Sequence, residues 1–127
     1  MTHRFQKHYT REEARALLPQ LREWLAGLEN LRVELEKNDQ RLAGLMAGGQ
    51  DVGGELVNQS VKLLGRMKEL FQEFERREII VKDLQRGLVD FPAIIGEREV
   101  FLCWEKDEED VEYWHDIDSG YAGREPL

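Results

Sequence analysis

The feature that most constrains this chain is an apolar stripe near its start: Leu17, Leu21, Trp24, Leu28, Leu31, Leu35, then Leu42 and Leu45. The steps alternate four and three, the spacing that keeps one face of an α-helix turned toward a partner helix. Ahead of the stripe, Thr10 followed by Glu13 is a capping-box pattern, so the helix is predicted to begin there. Pro19 falls inside the run. Proline removes one ladder bond and presses on the preceding turn, so a kink is expected near Leu17 to Pro19. Asn38 interrupts the stripe. It either fixes register at a seam or faces solvent where the stripe frays.

The stripe ends at Gly48-Gly49-Gln50-Asp51, with Gly53-Gly54 just beyond, which predicts a flexible reversal. A second helix is expected to start between Asp51 and Glu55 and to end between Arg76 and Ile80. Its apolar positions are Leu56, Leu63, Met67, Leu70 and Phe74, flanked by Val57, Val61, Leu64 and Phe71. Such a band is wider than one partner helix covers. A helix from Thr10 to Met46 would run about 55 Å, while a compact domain of this length has a radius of gyration near ~14 Å. Either Pro19 folds the first helix back, or a second copy covers the protruding hairpin. The width of the second stripe favours a homodimer completing four helices.

After Ile80 the texture changes. The segment Gly87–Gly96 is apolar and punctuated by Pro92 and Gly96, which suits an edge strand ending in a turn. Val100–Trp104 and Val111–His115 read as a hairpin around an acidic tip, and Gly120–Arg124 as a glycine-rich loop. The predicted class is α+β in one domain over residues 1–127. A long antiparallel helical hairpin (10–80) is followed by a small antiparallel β-sheet in a β-rich segment (81–127).

Composition narrows the function classes. The hydrophobic share of 41% is enough for a core, so the charged share of 35% reads as washed helix faces rather than disorder. A net charge of −8 argues against a nucleic-acid partner, since phosphate contacts need clustered Lys and Arg. The short basic group Arg4, Lys7, Arg11 and Arg15 reads as a solvated face. Met1–Thr10 has no apolar h-region, no apolar run approaches a membrane span, and Cys103 has no second cysteine to bond. A cytoplasmic protein with no membrane partner is expected.

The residues Val81-Lys-Asp-Leu-Gln-Arg-Gly-Leu-Val-Asp-Phe-Pro92, Val100-Phe-Leu-Cys-Trp-Glu105, Tyr113-Trp-His115 and Gly120-Tyr-Ala-Gly-Arg124 resemble the bacterial family known as domain of unknown function 2203. The opening Tyr9-Thr-Arg-Glu-Glu-Ala-Arg-Ala-Leu-Leu-Pro19 is similar to that family's N-terminal signature. The resemblance spans nearly the whole chain. It implies a compact bacterial or archaeal intracellular protein and assigns no catalytic residue.

Candidate chemistry lies in the C-terminal third, where ionisable residues interrupt strand-forming runs. A divalent metal would find nitrogen and oxygen ligands in Asp83, Asp90, Glu105 and His115, with Asp116 and Asp118 nearby. His3 and His8 cannot be placed from sequence. The alternative is a structural His115, bonded to a carboxylate or to backbone. Asp116-Ile-Asp118-Ser-Gly120 imitates a calcium loop, but its twelfth position falls on Leu127, which excludes an EF-hand. A planar or anionic ligand would suit Arg98, Trp104, Trp114 and Arg124, with Tyr113 and Tyr121. Against this, the aromatics glue sheet to hairpin while Arg124 pairs with Asp90 or Asp83.

A Cys103–His115 nucleophile pair depends on strand register. Pairing Trp104 with Val111 puts Cys103 and His115 on opposite faces, and a one-residue slip reverses this. The six acidic residues between Glu105 and Glu112 read as a self-repelling solvated tip, or else as a docking patch for a basic partner. The leading expectation is a non-enzymatic homodimeric interaction or scaffold module. The runner-up is a metal- or small-molecule-binding protein, or a small enzyme, with its site in the C-terminal segment.

Overall fold

The computed structural model describes residues 3–49 and 53–127. Helix α1 (Arg11–Ala47) is 37 residues long, about 55 Å at 1.5 Å per residue. The capping box forms as expected. The Glu13 amide donates to Thr10 Oγ1 at 3.1 Å, and the Thr10 amide donates to Glu13 Oε1 at 3.0 Å. The helix continues through Pro19, so the chain does not fold back there. Pro19 lies on the exposed face, where the lost ladder bond is least harmful. Of the predicted reversal, Gly48 and Gly49 are described, while Gln50 and Asp51 lie outside the described residues. So does the earliest part of the expected second start.

Helix α2 (Gly53–Arg76) returns antiparallel and closes with a Schellman motif. The Ile79 amide donates to the Phe74 carbonyl at 3.0 Å and the Glu78 amide to the Glu75 carbonyl at 3.0 Å. Glu78 occupies the left-handed position, φ 56°. Asn38 is buried in the seam. Its Nδ2 donates to the Leu56 carbonyl at 2.8 Å and to Ser60 Oγ at 2.6 Å, so it ties α1 to α2 within one chain.

Five strands follow: β1 (Ile80–Asp83), β2 (Leu88–Ile95), β3 (Arg98–Glu105), β4 (Tyr113–Asp116) and β5 (Glu125–Pro126). They form an antiparallel meander in sequence order. The β2–β3 turn is Gly96–Glu97, both at positive φ, as a two-residue hairpin loop requires. Strand β2 is not the edge strand expected from Pro92; β1 lies outside it. The physical reason is that β1 pairs only with Leu88–Asp90. At Pro92 that side of β2 is left to the N-terminal segment, and the Tyr9 amide donates to the Pro92 carbonyl at 2.7 Å. Pro92 therefore breaks no ladder bond.

One face of the sheet, with Val89, Phe91, Ala93, Val100, Leu102 and Trp104, packs on Ala14, Leu18, Leu21, Leu25, Leu28 and Phe74. The other face is also covered. Phe5 stacks edge-on against Phe101 at 5.4 Å, and the Arg124 guanidinium lies over Tyr113 at 3.9 Å. Burial on both faces explains why β2 and β3 read as continuous apolar runs rather than alternating ones. Only the near half of the hairpin meets the sheet; Leu31, Asn38 and Leu63 continue its seam beyond. Among the described residues no helix is long and apolar enough to cross a membrane.

Candidate functional site

The site is set by register. Asp90 pairs with Cys103, Cys103 with Tyr113, and Phe101 with His115. This is one residue away from the Trp104–Val111 pairing expected from sequence, and it reverses the parity argument: Cys103 and His115 share a face. The slip arises at the acidic tip, which folds into a structured loop. The Trp104 indole donates to the Glu108 carbonyl at 2.9 Å, and the Glu105 amide donates to Glu108 Oε1 at 2.8 Å. Val111, read as a strand residue, packs into the helix-side core from this loop, and β4 begins only at Tyr113.

From β4 the His115 ring reaches diagonally across β3, beside Phe101, to β2. Its Nε2 lies 3.0 Å from Asp90 Oδ1, and its Nδ1 lies 2.8 Å from the Asp116 carbonyl oxygen. A carbonyl only accepts, so Nδ1 carries the proton there. Nε2 then faces the Asp90 carboxylate, and a cation between them, proton or metal, must reconcile the two acceptors. The ligand atoms of Asp90, Cys103 and His115 all lie within 4.8 Å of one another, and each residue is at most 2% exposed.

Cys103 is no nucleophile in this setting. Burial pushes its thiol up from 9.0 to about 12, and the Asp90 carboxylate, as charge and hydrogen-bond partner, adds to the effect; Arg124 opposes it. A sealed, protonated thiol attacks nothing.

The other predicted positions scatter. Of the four metal candidates the structure brings Asp90 and His115 together. Asp83 instead accepts from the Arg86 amide at 3.1 Å, and Glu105 pairs with the Arg86 side chain at 3.1 Å. Trp104 is core and Trp114 half-buried beside it. Arg98 pairs with Asp116 at an exposed edge, and Arg124 lies on the opposite face, so these four line no common pocket. Arg124 grips Glu108, at 2.8 and 2.9 Å, rather than Asp90 or Asp83. The tip is not free either. Arg11 and Arg15, read as solvated, both pair with Asp110, and Arg22 donates to the Glu108 carbonyl at 3.0 Å.

A second cluster joins His3, His8 and Glu99 at the surface. Its carboxylate is already engaged by the amides of Arg4 at 2.8 Å and Phe5 at 3.1 Å, and by His8 Nε2 at 2.7 Å. Burial opposes ionisation of Glu99, yet these donors hold its carboxyl below the usual range.

A family model described as "Uncharacterized conserved protein (DUF2203)" matches residues 7–127. The chain belongs to that family. The match takes in the hairpin, the sheet and all three members of the buried trio; His3 lies outside it. No curated protein and no solved structure matches this DUF2203 chain. The metal candidates read from sequence do not include Cys103, and the expected register sets it on the opposite face from His115. The signal that would have placed it is the length of the tip, where Glu108 accepts from four residues, Arg22, Trp104, Glu105 and Arg124.

Proposed function

We propose that this DUF2203 protein is a non-enzymatic, homodimeric assembly module of the bacterial cytoplasm, with the helical hairpin as its assembly surface. One observation carries this reading. On α2, Val57, Val61 and Leu64 are 46%, 62% and 52% exposed, at steps of four and three along the helix. They sit on an arm that already spends its seam on the partner helix. Fully burying an aliphatic side chain stabilises by roughly 1.5–3 kcal/mol. A two-fold pairing uses the same patch on each copy, which doubles that gain and completes a four-helix arrangement. Met46, near the end of α1, is also exposed, at 67%. The single cysteine, held as a buried thiol, suits a reducing compartment.

Sedimentation at micromolar concentration tests the reading, with wild type expected at twice the mass of one chain. Val61→Glu, at an exposed position, is expected to give a folded monomer. A wild-type monomer at that concentration defeats the proposal.

A further inference from the structure

The geometry points to a metal site formed by Asp90, Cys103 and His115, taking one divalent ion of the zinc, cobalt or ferrous class. It is independent of the assembly reading, being built in the sheet rather than the hairpin. Three observations carry it.

The donor set is one oxygen, one sulfur and one nitrogen, the mixture that suits borderline-soft divalent metals. The three side chains come from three adjacent strands, so register rather than a mobile loop holds their donor atoms within 4.8 Å of one another. Bonds of 2.0–2.3 Å in tetrahedral array put ligand atoms about 3.3–3.8 Å apart, so the trio closes on an ion with shifts of about an ångström or less.

The second observation is orientation. His115 donates Nδ1–H to the Asp116 carbonyl at 2.8 Å, which is the outer bond that metal-bound histidines make, and aims Nε2 inward at Asp90. The third is charge balance: a carboxylate and a thiolate bring two negative charges to one divalent ion, so the occupied buried site carries no net charge. A second Asp90 oxygen or one water would complete four-coordination. With the trio at most 2% exposed, the ion would be structural, pinning β2, β3 and β4 together.

The test is to refold the full chain from urea in the presence of cobalt(II), anaerobically. One cobalt per chain is expected, with a thiolate-to-cobalt charge-transfer band and the intense visible bands of tetrahedral cobalt. Zinc should displace it. Zinc at a hundredfold excess over Kd should raise Tm by about 10 °C. Cys103→Ser, nearly isosteric, should lose the charge-transfer band while keeping the far-ultraviolet spectrum. Refolded wild type showing neither the band nor a Tm shift with zinc overturns the proposal, leaving a proton-bridged pair. Cobalt bound without the band, and lost in His8→Ala, also overturns it, because the ion then sits at the surface cluster.

Discussion

Arg15 holds Asp110 with two hydrogen bonds of 2.8 Å, tying the acidic tip of the β3–β4 hairpin to the first turns of α1. The Arg15 bond, with lesser help from the Val111 amide and the charge of Arg11, brings the Asp110 carboxyl down from 3.8 to about 2. A lowered folded value means the contribution is present above pH ~4 and is lost as the pH falls through about 2. Asp110→Asn is therefore expected to lower Tm at pH 6 and to match wild type near pH 2. A constant Tm difference across that range would show that the clamp is not ionic.

Cys103 makes the opposite prediction in alkali. Its folded value is raised from 9.0 to about 12, so its contribution is intact below pH 9 and is lost as the pH rises toward 12. Over that window wild-type stability should fall up to about 1.4 kcal/mol per pH unit faster than that of Cys103→Ser. Urea titrations at pH 8.5 and 10.5 measure the slope. At pH 8 a thiol-reactive disulfide reagent should modify the native chain only at its opening rate. Prompt labelling in the folded state would contradict the sealed site.

Asn38 locks the hairpin from inside, since its Nδ2 reaches both the Leu56 carbonyl and Ser60 Oγ. Ser60 in turn donates to Asp39 Oδ1 at 3.2 Å. Asn38→Ala is expected to destabilise by about 1–2 kcal/mol. In a double-mutant cycle with Ser60→Ala the two changes should couple by at least ~0.5 kcal/mol. Additive effects would mean that Asn38 acts through Leu56 alone.

The architecture was legible because it rests on period and caps. Leu21, Trp24 and Leu28 lie on one helical face, Thr10 and Glu13 mark its start, and the change of texture after Ile80 marks the sheet. What stayed hidden depends on contacts between distant residues. Pro92 looked like an edge residue, and nothing local shows that Tyr9 would run along that side of β2. Arg15 and Asp110 are 95 positions apart, so each looked solvated alone. Asp90 and His115 were legible as ionisable groups in apolar runs. Their union with Cys103 required a register that hydrophobic pattern could not fix, because Val111 is apolar for the helix-side core and not for the strand. A period of two tolerates no error of one.

Glu78 offers a test in which two effects of opposite sign can be separated. It sits at φ 56° where glycine is the usual helix terminator, yet its Oε1 accepts from the amides of Gln6 and Lys7, both at 3.0 Å. The left-handed conformation costs roughly 1 kcal/mol for any residue with a Cβ, and the charge-assisted bonds to the N-terminal segment offset it. Glu78→Ala keeps the strain and loses the bonds, so it should destabilise by about 1–2 kcal/mol. Glu78→Gly loses the same bonds but relieves the strain, so it should be more stable than the alanine variant by roughly 1 kcal/mol and lie close to wild type. Urea midpoints of the three proteins decide the matter. If the glycine variant exceeds wild type by the full strain energy, the carboxylate contributes nothing. If alanine and glycine are equal, the backbone relaxes out of the left-handed region and Glu78 is there only for its bonds.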